Sequence, residues 1–137
     1  MGFLKKLFKI VVVLVLALAA YVRLAPSDVA RWHVAPNVDQ DEILKGGAKR
    51  RLTTGPDGLQ RLHEIALKTP GTTVLAGDPD QGMVTYITRS RTVGFPDYTT
   101  VQQQGDDLLI YARLRFGSSD LGVNAARLDV WGRALTP

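Results

Sequence analysis

The stretch DYTTVQQQGDDLLIYARLRF, residues 97–116, decides the fold. Its second half alternates strictly, with Leu108, Ile110, Ala112, Leu114 and Phe116 on one side and Leu109, Tyr111, Arg113 and Arg115 on the other. A period of two marks a strand that lays one face on a core and keeps the other partly polar. The first half is rich in β-branched and aromatic residues, and Gly105-Asp106 supplies a turn between the halves, so the stretch predicts an antiparallel hairpin.

Upstream lies a second pair of the same kind. TTVLAG (72–77) and MVTYITRSRTV (83–93) are strand-like, and the turn-rich segment Gly77-Asp78-Pro79-Asp80-Gln81-Gly82 joins them. On either side of these four strands the period is 3.6. TGPDGLQRLHEIALKTPG (54–71) predicts a helix with Leu59, Leu62, Ile65 and Ala66 on one face, Thr54 as its cap and Pro70-Gly71 as its stop. Leu121 to Leu135 predicts a second helix, with Leu121, Ala125, Leu128, Trp131 and Leu135 on one side. One apolar stripe per helix and one apolar face on the sheet give an α+β fold: a four-stranded antiparallel sheet with two helices packed on one face.

The chain before this domain has a different character. MGFLKKLFKIVVVLVLALAAYVR (1–23) carries three lysines, then thirteen uncharged residues from Ile10 to Val22, then Arg23. A span of the bilayer takes about 20 apolar residues, and lysine and arginine stems snorkel, so Leu7 to Leu24 suffices as an N-terminal transmembrane helix or signal anchor, residues 1–24. A cleaved signal peptide is the rival reading, because Ala17-Leu18-Ala19 fits a small-x-small cleavage site. Either way, the positive-inside rule keeps the lysines cytoplasmic and sends the domain outward, to the bacterial periplasm. Residues 25–56, with three prolines and no sustained period, read as an extended connector draped over the domain of residues 57–137. Trp32-His33-Val34 is its sticky spot, expected to dock as an edge strand or a plug, and KRRLTT (49–54) is a further short-strand candidate.

Charge narrows the partners. The chain has 17 basic and 13 acidic residues, a formal charge of +4. Lys5, Lys6, Lys9 and Arg23 account for four of the 17, which leaves 13 basic against 13 acidic residues from Leu24 onward. A neutral domain lacks the electrostatic footprint of nucleic-acid binding, and the basic excess belongs to membrane topology. There is no cysteine, so disulfides, thiolate nucleophiles and lipoprotein anchors are excluded.

The densest chemistry lies in FGSSDLGVNAAR (116–127), between the last strand and the last helix. Gly117-Ser118-Ser119-Asp120-Leu121 lacks the final glycine of a nucleophile elbow, and the only histidines are His33 and His63. As an anion cradle the junction already holds a carboxylate, Asp120, where the anion would sit. It therefore reads as a helix start, with Ser119 or Asp120 as cap and Gly122 allowing helix and sheet to approach closely. No catalytic group, metal site or cofactor is expected.

RSRTVGFPDYTTV (89–101) and RFGSSDLGVNAAR (115–127), taken together, resemble the bacterial and plastid family catalogued as domain of unknown function 1499, over roughly residues 57–135. The positions carrying the resemblance are Arg89, Ser90, Arg91, Gly94, Phe95, Asp97, Ser119, Asp120, Leu121, Gly122, Asn124 and Arg127. Tyr98 stands where the family usually has a second acid. The resemblance implies an extracytoplasmic domain and no established activity.

The arginines are the functional candidates left. Arg89 and Arg91 on one strand, with Arg113 and Arg115 on the non-core face of another, gather four guanidiniums beside Tyr111 on an open sheet face. Such a face holds carboxylate or phosphate through bidentate contacts. The expectation is a non-enzymatic domain anchored in the inner membrane that acts as an accessory or scaffold component of a membrane complex. The alternatives are a binder of an anionic lipid or glycan group through these arginines, and a small hydrolase using Asp97 and Asp120.

Overall fold

In a computed structural model the chain is described over residues 1–136; Pro137, the last residue of the predicted domain, lies outside the described residues. Helix α1 (Gly2–Leu24) is followed by a single short turn of helix, α2 (Val29–Trp32). The order then runs β1 (Glu42–Leu44), β2 (Gly47–Thr53), α3 (Gly58–Lys68), β3 (Thr72–Asp78), β4 (Met83–Arg89), β5 (Pro96–Gln104), β6 (Asp107–Leu114) and α4 (Val123–Leu135). The fold is α+β, and the sheet has six strands in the order β1-β2-β6-β5-β4-β3, every neighbour antiparallel.

The four predicted strands become six because residues 42–53 of the predicted connector join the sheet. β2 pairs with β6 over seven residues, from Gly47 opposite Arg113 to Thr53 opposite Asp107. β1 extends this side by three residues, and at the other side β3 follows β4 with a slip in register between Val74 and Ala76.

One face of the sheet carries the main core. Leu59, Leu62 and Ala66 of α3 and Leu128, Trp131 and Leu135 of α4 pack on Ala48, Val84, Tyr86, Val101, Leu108, Ile110 and Ala112. Trp131 meets Tyr86 edge-on and donates Nε1–H to Thr69 Oγ1 at 2.9 Å, so its one polar atom is satisfied inside the core. The predicted cap of α3 is replaced: Thr54 turns its hydroxyl to the Gly55 carbonyl, and Gln103 of β5 accepts the Leu59 N–H through Oε1 at 2.8 Å. A side chain from the sheet thus fastens the start of the helix to the layer beneath it.

The second face is covered by the chain's own N-terminal connector, and the sticky spot docks as a plug. Trp32, at the end of α2, stacks on Tyr98 with ring centroids 4.0 Å apart and planes 8° from parallel, and Ile87 and Leu75 complete the cluster. His33 Nδ1 lies 2.8 Å from Thr85 Oγ1. His63, on α3, has its Nδ1 2.8 Å from the Tyr86 hydroxyl, so both histidines are tied to β4 from opposite faces of the sheet.

Two predicted boundaries move. The strand expected to run to Val93 ends at Arg89, because Ser90 accepts the N–H groups of Gly94 and Phe95 through Oγ and folds residues 90–95 into a loop. Gly94 has φ +84, a conformation that calls for glycine, and the Arg23 side chain packs against it, with Nε 2.7 Å from where a Cβ would stand. α4 starts at Val123, and Leu121 sits before it at φ +52 and 91% exposed, outside the core stripe that was expected to hold it.

Candidate functional site

The arginines do not form one open face. Arg89 ends β4 and donates from Nη1 to the Gly94 carbonyl at 3.0 Å and toward the Val22 carbonyl at 3.4 Å. Arg91 lies exposed on the 90–95 loop, off the strand that was to align it with Arg89. Arg115 donates from Nη1 to the Pro26 carbonyl and the Tyr98 hydroxyl, both at 3.0 Å. Arg113 donates from Nη2 to the Trp32 carbonyl at 2.6 Å and from Nη1 to Thr100 Oγ1 and the Tyr111 carbonyl. Three of the four therefore fix the connector or the end of α1 by hydrogen bonds to carbonyl oxygens. The predicted open face is closed because the connector supplies those carbonyls, which alternation along a strand does not reveal.

Arg113 is nevertheless unusual. Its guanidinium is half-buried between two rings, 5.3 Å from the Trp32 centroid and 4.8 Å from that of Tyr111, and no carboxylate among the described residues pairs with it. Burial holds it below the ordinary guanidinium range, an effect opposed by Tyr111 and Tyr98. Two further cations meet the same rings: the Arg31 guanidinium lies 4.6 Å from the Trp32 centroid, and Lys49 Nζ 5.2 Å from that of Tyr111. Cations and aromatic rings thus alternate along one wall.

Those five side chains border an open cavity of about 390 Å³, which residues Val34 to Asn37 of the connector also line. Arg31, Lys49 and Arg113 bring three positive charges to it, and no acidic residue lines it. Of the predicted site, Tyr111 and Arg113 are brought together here, whereas Arg89, Arg91 and Arg115 are elsewhere. Arg31 and Lys49 were not among the predicted residues. Both lie in the segment read as connector, and only the pairing of Lys49 with Tyr111 across β2 and β6 brings one of them in.

The motif residues build a second arrangement at the end of the sheet where α1 arrives. Asp120 accepts the Gly122 N–H on Oδ1 and the Asn124 N–H on Oδ2, both at 3.0 Å, and the Asn124 side-chain amide on Oδ2 at 2.9 Å. Asn124, fully buried, accepts from Arg127 Nη1 at 2.6 Å, and Arg127 Nη2 reaches Asp97 Oδ2 at 3.3 Å. The relay Asp120–Asn124–Arg127–Asp97 therefore caps α4 and ties it to the start of β5. The N-cap position falls on Gly122, which has no side chain to accept a bond, and not on Ser119 or Asp120 as expected; Asp120 meets the Asn124 N–H from two residues upstream, and Ser119 accepts the Leu121 N–H at 3.3 Å. Gly122 does not mediate close packing: nothing lies within 4 Å of a Cβ placed there, and its role is the positive φ of +80 that turns the chain into the helix.

Asp97 and Asp120 border one cleft of about 350 Å³, with Ser90, Ser119, Phe95 and Phe116. Burial raises the Asp97 carboxyl above its ordinary range against the pull of Arg127. Burial alone would also raise Asp120, but hydrogen bonds from Asn124 and Gly122 bring it below the ordinary range. Both acids belong to the relay that ties α4 to β5, and they share one cleft, as a hydrolase using the pair requires. Asp120→Ala is expected to cost about 1 kcal/mol, measured by denaturant unfolding, with Ser119→Ala costing less. Since the folded state lowers the Asp120 pKa, its contribution is complete above the ordinary carboxylate range and is lost as pH falls through the depressed value.

A two-layer α+β domain, with helices on one face and its own N-terminal connector on the other, is the class that fold and site define. Residues 33–135 match the family described as protein of unknown function (DUF1499), and the chain belongs to that family. The match begins at His33, so it takes in β1 and β2 as well as the stretch from residue 57 that carries the motifs. Comparison with curated proteins gave no match. α1, with a mean hydropathy of 2.4 over its most apolar window, suits a membrane anchor or a signal sequence.

Proposed function

We propose that this chain is a non-enzymatic binding domain anchored in the bacterial inner membrane by α1, with its N-terminus cytoplasmic and its C-terminal domain periplasmic, and that it holds an anionic group of an envelope lipid or glycan. The observation that carries the reading is Arg113, a half-buried guanidinium with no carboxylate partner among the described residues, opening with Arg31 and Lys49 on one cavity. Neutral acceptors, the Trp32 and Tyr111 carbonyls and Thr100 Oγ1, meet its hydrogen-bonding needs but not its charge, and a phosphate or carboxylate entering beside it supplies the missing counter-charge.

Inorganic phosphate is the first probe, applied to the full chain in detergent against chloride at equal ionic strength. A ligand that binds only the folded state raises Tm with concentration. Phosphate should raise Tm for the parent chain, and Arg31→Ala with Lys49→Ala, two substitutions at the cavity rim, should abolish the shift. An equal shift in parent and variant would sink the proposal, as would no shift with either phosphate or phosphatidylglycerol vesicles.

A second reading, the accessory component of a membrane complex, is favoured by the joint between α1 and the domain. Arg89 reaches the Val22 carbonyl and Tyr21 meets Phe116 edge-on at 6.0 Å, so the domain keeps a fixed attitude toward neighbours in the membrane plane. Purification from membranes in mild detergent should then recover a stoichiometric companion protein, and recovery of this chain alone counts against that reading.

A further inference from the structure

We infer that the tip of the domain formed by Val93, Phe95 and Phe116 is seated inside the outer leaflet, where it and α1 clasp an acyl chain of a bilayer lipid. The inference rests on α1 being the membrane span proposed above. It starts from two facts that pull against each other if the domain stands clear of the bilayer. Between Lys9 and Arg23 there are only thirteen uncharged residues, Ile10 to Val22, which is short against the roughly 20 that a span takes, so none of them can be spared for a stalk. Yet Val15, Leu18, Ala19 and Val22 from that same stretch form one wall of a groove of about 310 Å³ whose other wall is Val93, Phe95 and Phe116.

At 1.5 Å per residue, Val15 lies about 12 Å along α1 from Arg23, most of the depth of one leaflet's hydrocarbon. Lifting the groove into water would draw Lys9, Lys6 and Lys5 toward the bilayer centre, which charged side chains resist. With Arg23 at the outer boundary, the groove lies in hydrocarbon and the domain's tip goes with it. The composition of the tip agrees: the groove is lined by apolar side chains alone, and Val93, Phe95 and Leu121 are exposed at this end of the sheet. Leu121, 91% exposed, adds apolar surface at this end that contact with lipid would cover. The cations at this end, Arg23 of α1 packed on Gly94 and the exposed Arg91 of the 90–95 loop, suit the phosphate level above the chains.

One wall of the groove is the membrane-spanning helix itself, so a groove at that depth meets surrounding lipid and its occupant is a chain from the bilayer. Continuity with the anchor sets this surface apart from an isolated apolar patch: the wall supplied by α1 is the membrane-spanning surface itself.

The chain has no cysteine, so single labels are clean. Leu14→Cys, Val93→Cys and Asp80→Cys, each carrying an environment-sensitive fluorophore, are placed in full chains in nanodiscs of phosphatidylcholine brominated on its acyl chains. Asp80 lies on the turn before β4, at the far end of that strand from the 90–95 loop. Labels at 14 and 93 should be quenched by the bromolipid and shielded from aqueous iodide, and the label at 80 should show the reverse. Thr92→Cys, on the same loop, repeats the measurement should Val93→Cys fold poorly. A label at 93 that iodide quenches while the label at 14 stays in lipid would overturn this inference and leave the anchor standing. A label at 14 that iodide reaches, or that is cleaved away, would overturn both.

Discussion

Trp32→Ala should lower the stability of the domain by about 3 kcal/mol, a fall in Tm of roughly 10 °C or more, although the residue lies outside the main core. Trp32 is 7% exposed, and it is the main cover over Tyr98 and Ile87. Its loss uncovers that face of the sheet, removes the ring against which Arg113 lies, and leaves the connector held by hydrogen bonds and the smaller buried side chains Ala25 and Val38. Trp32→Phe keeps a flat ring over Tyr98 and should recover part of the loss. Thermal unfolding checks the first effect, and limited proteolysis the second, with new cleavage expected between residues 25 and 40. If Trp32→Ala unfolds like the parent and stays resistant in that segment, the connector is not held as described.

The second large effect belongs to Arg127. Its side chain is 12% exposed and that of its partner Asp97 is 16% exposed, so Arg127→Ala leaves a carboxylate in a poorly solvated place without its cation. Breaking such a pair costs about 3 kcal/mol, whereas replacing both partners costs much less. Arg127→Ala with Asp97→Asn should therefore be more stable than Arg127→Ala alone, and denaturant unfolding of the four members of that cycle measures the coupling. The pH dependence follows with its sign. Burial already raises the Asp97 pKa in the parent chain, and removing Arg127 takes away a pull in the other direction. A carboxyl whose pKa is raised by folding destabilises once it ionises, so the deficit of Arg127→Ala should be largest above the raised pKa and shrink as pH falls below it. A deficit independent of pH and of residue 97 would show that Arg127 stabilises by packing alone.

Much of this architecture is legible in local pattern. The β5–β6 hairpin, both packed helices and the turn at Asp78 to Gly82 are set by spacing and turn chemistry within a few residues. What was not legible is non-local. β2 escaped full recognition because its core-facing position 50 is an arginine that pairs with Asp129 of α4, 3.3 Å away, and cations on the other face hide the alternation. The fate of the arginines was hidden for a related reason. Their acceptors are backbone carbonyls of Trp32, Pro26 and Gly94, which no side-chain pattern announces. The cavity was half visible, since Tyr111 and Arg113 share a face of β6, while Arg31 reaches it only through the fold of the connector. By contrast the relay from Asp120 to Asp97 was foreseeable as a helix cap with a tie to the sheet, because Asp120, Asn124 and Arg127 fall three or four residues apart on a helix start.

The two rims of the sheet carry a consequence for assembly. An unpaired strand ordinarily invites another chain to add itself by backbone hydrogen bonds. Here one rim is β1, only three residues long, and the other is β3, whose register slips between Val74 and Ala76. Neither offers a long, straight template, and the slip adds local twist that spoils pairing with a newcomer. Growth of the sheet into a fibre or a strand-swapped dimer is thus discouraged at both ends, even where many copies crowd together.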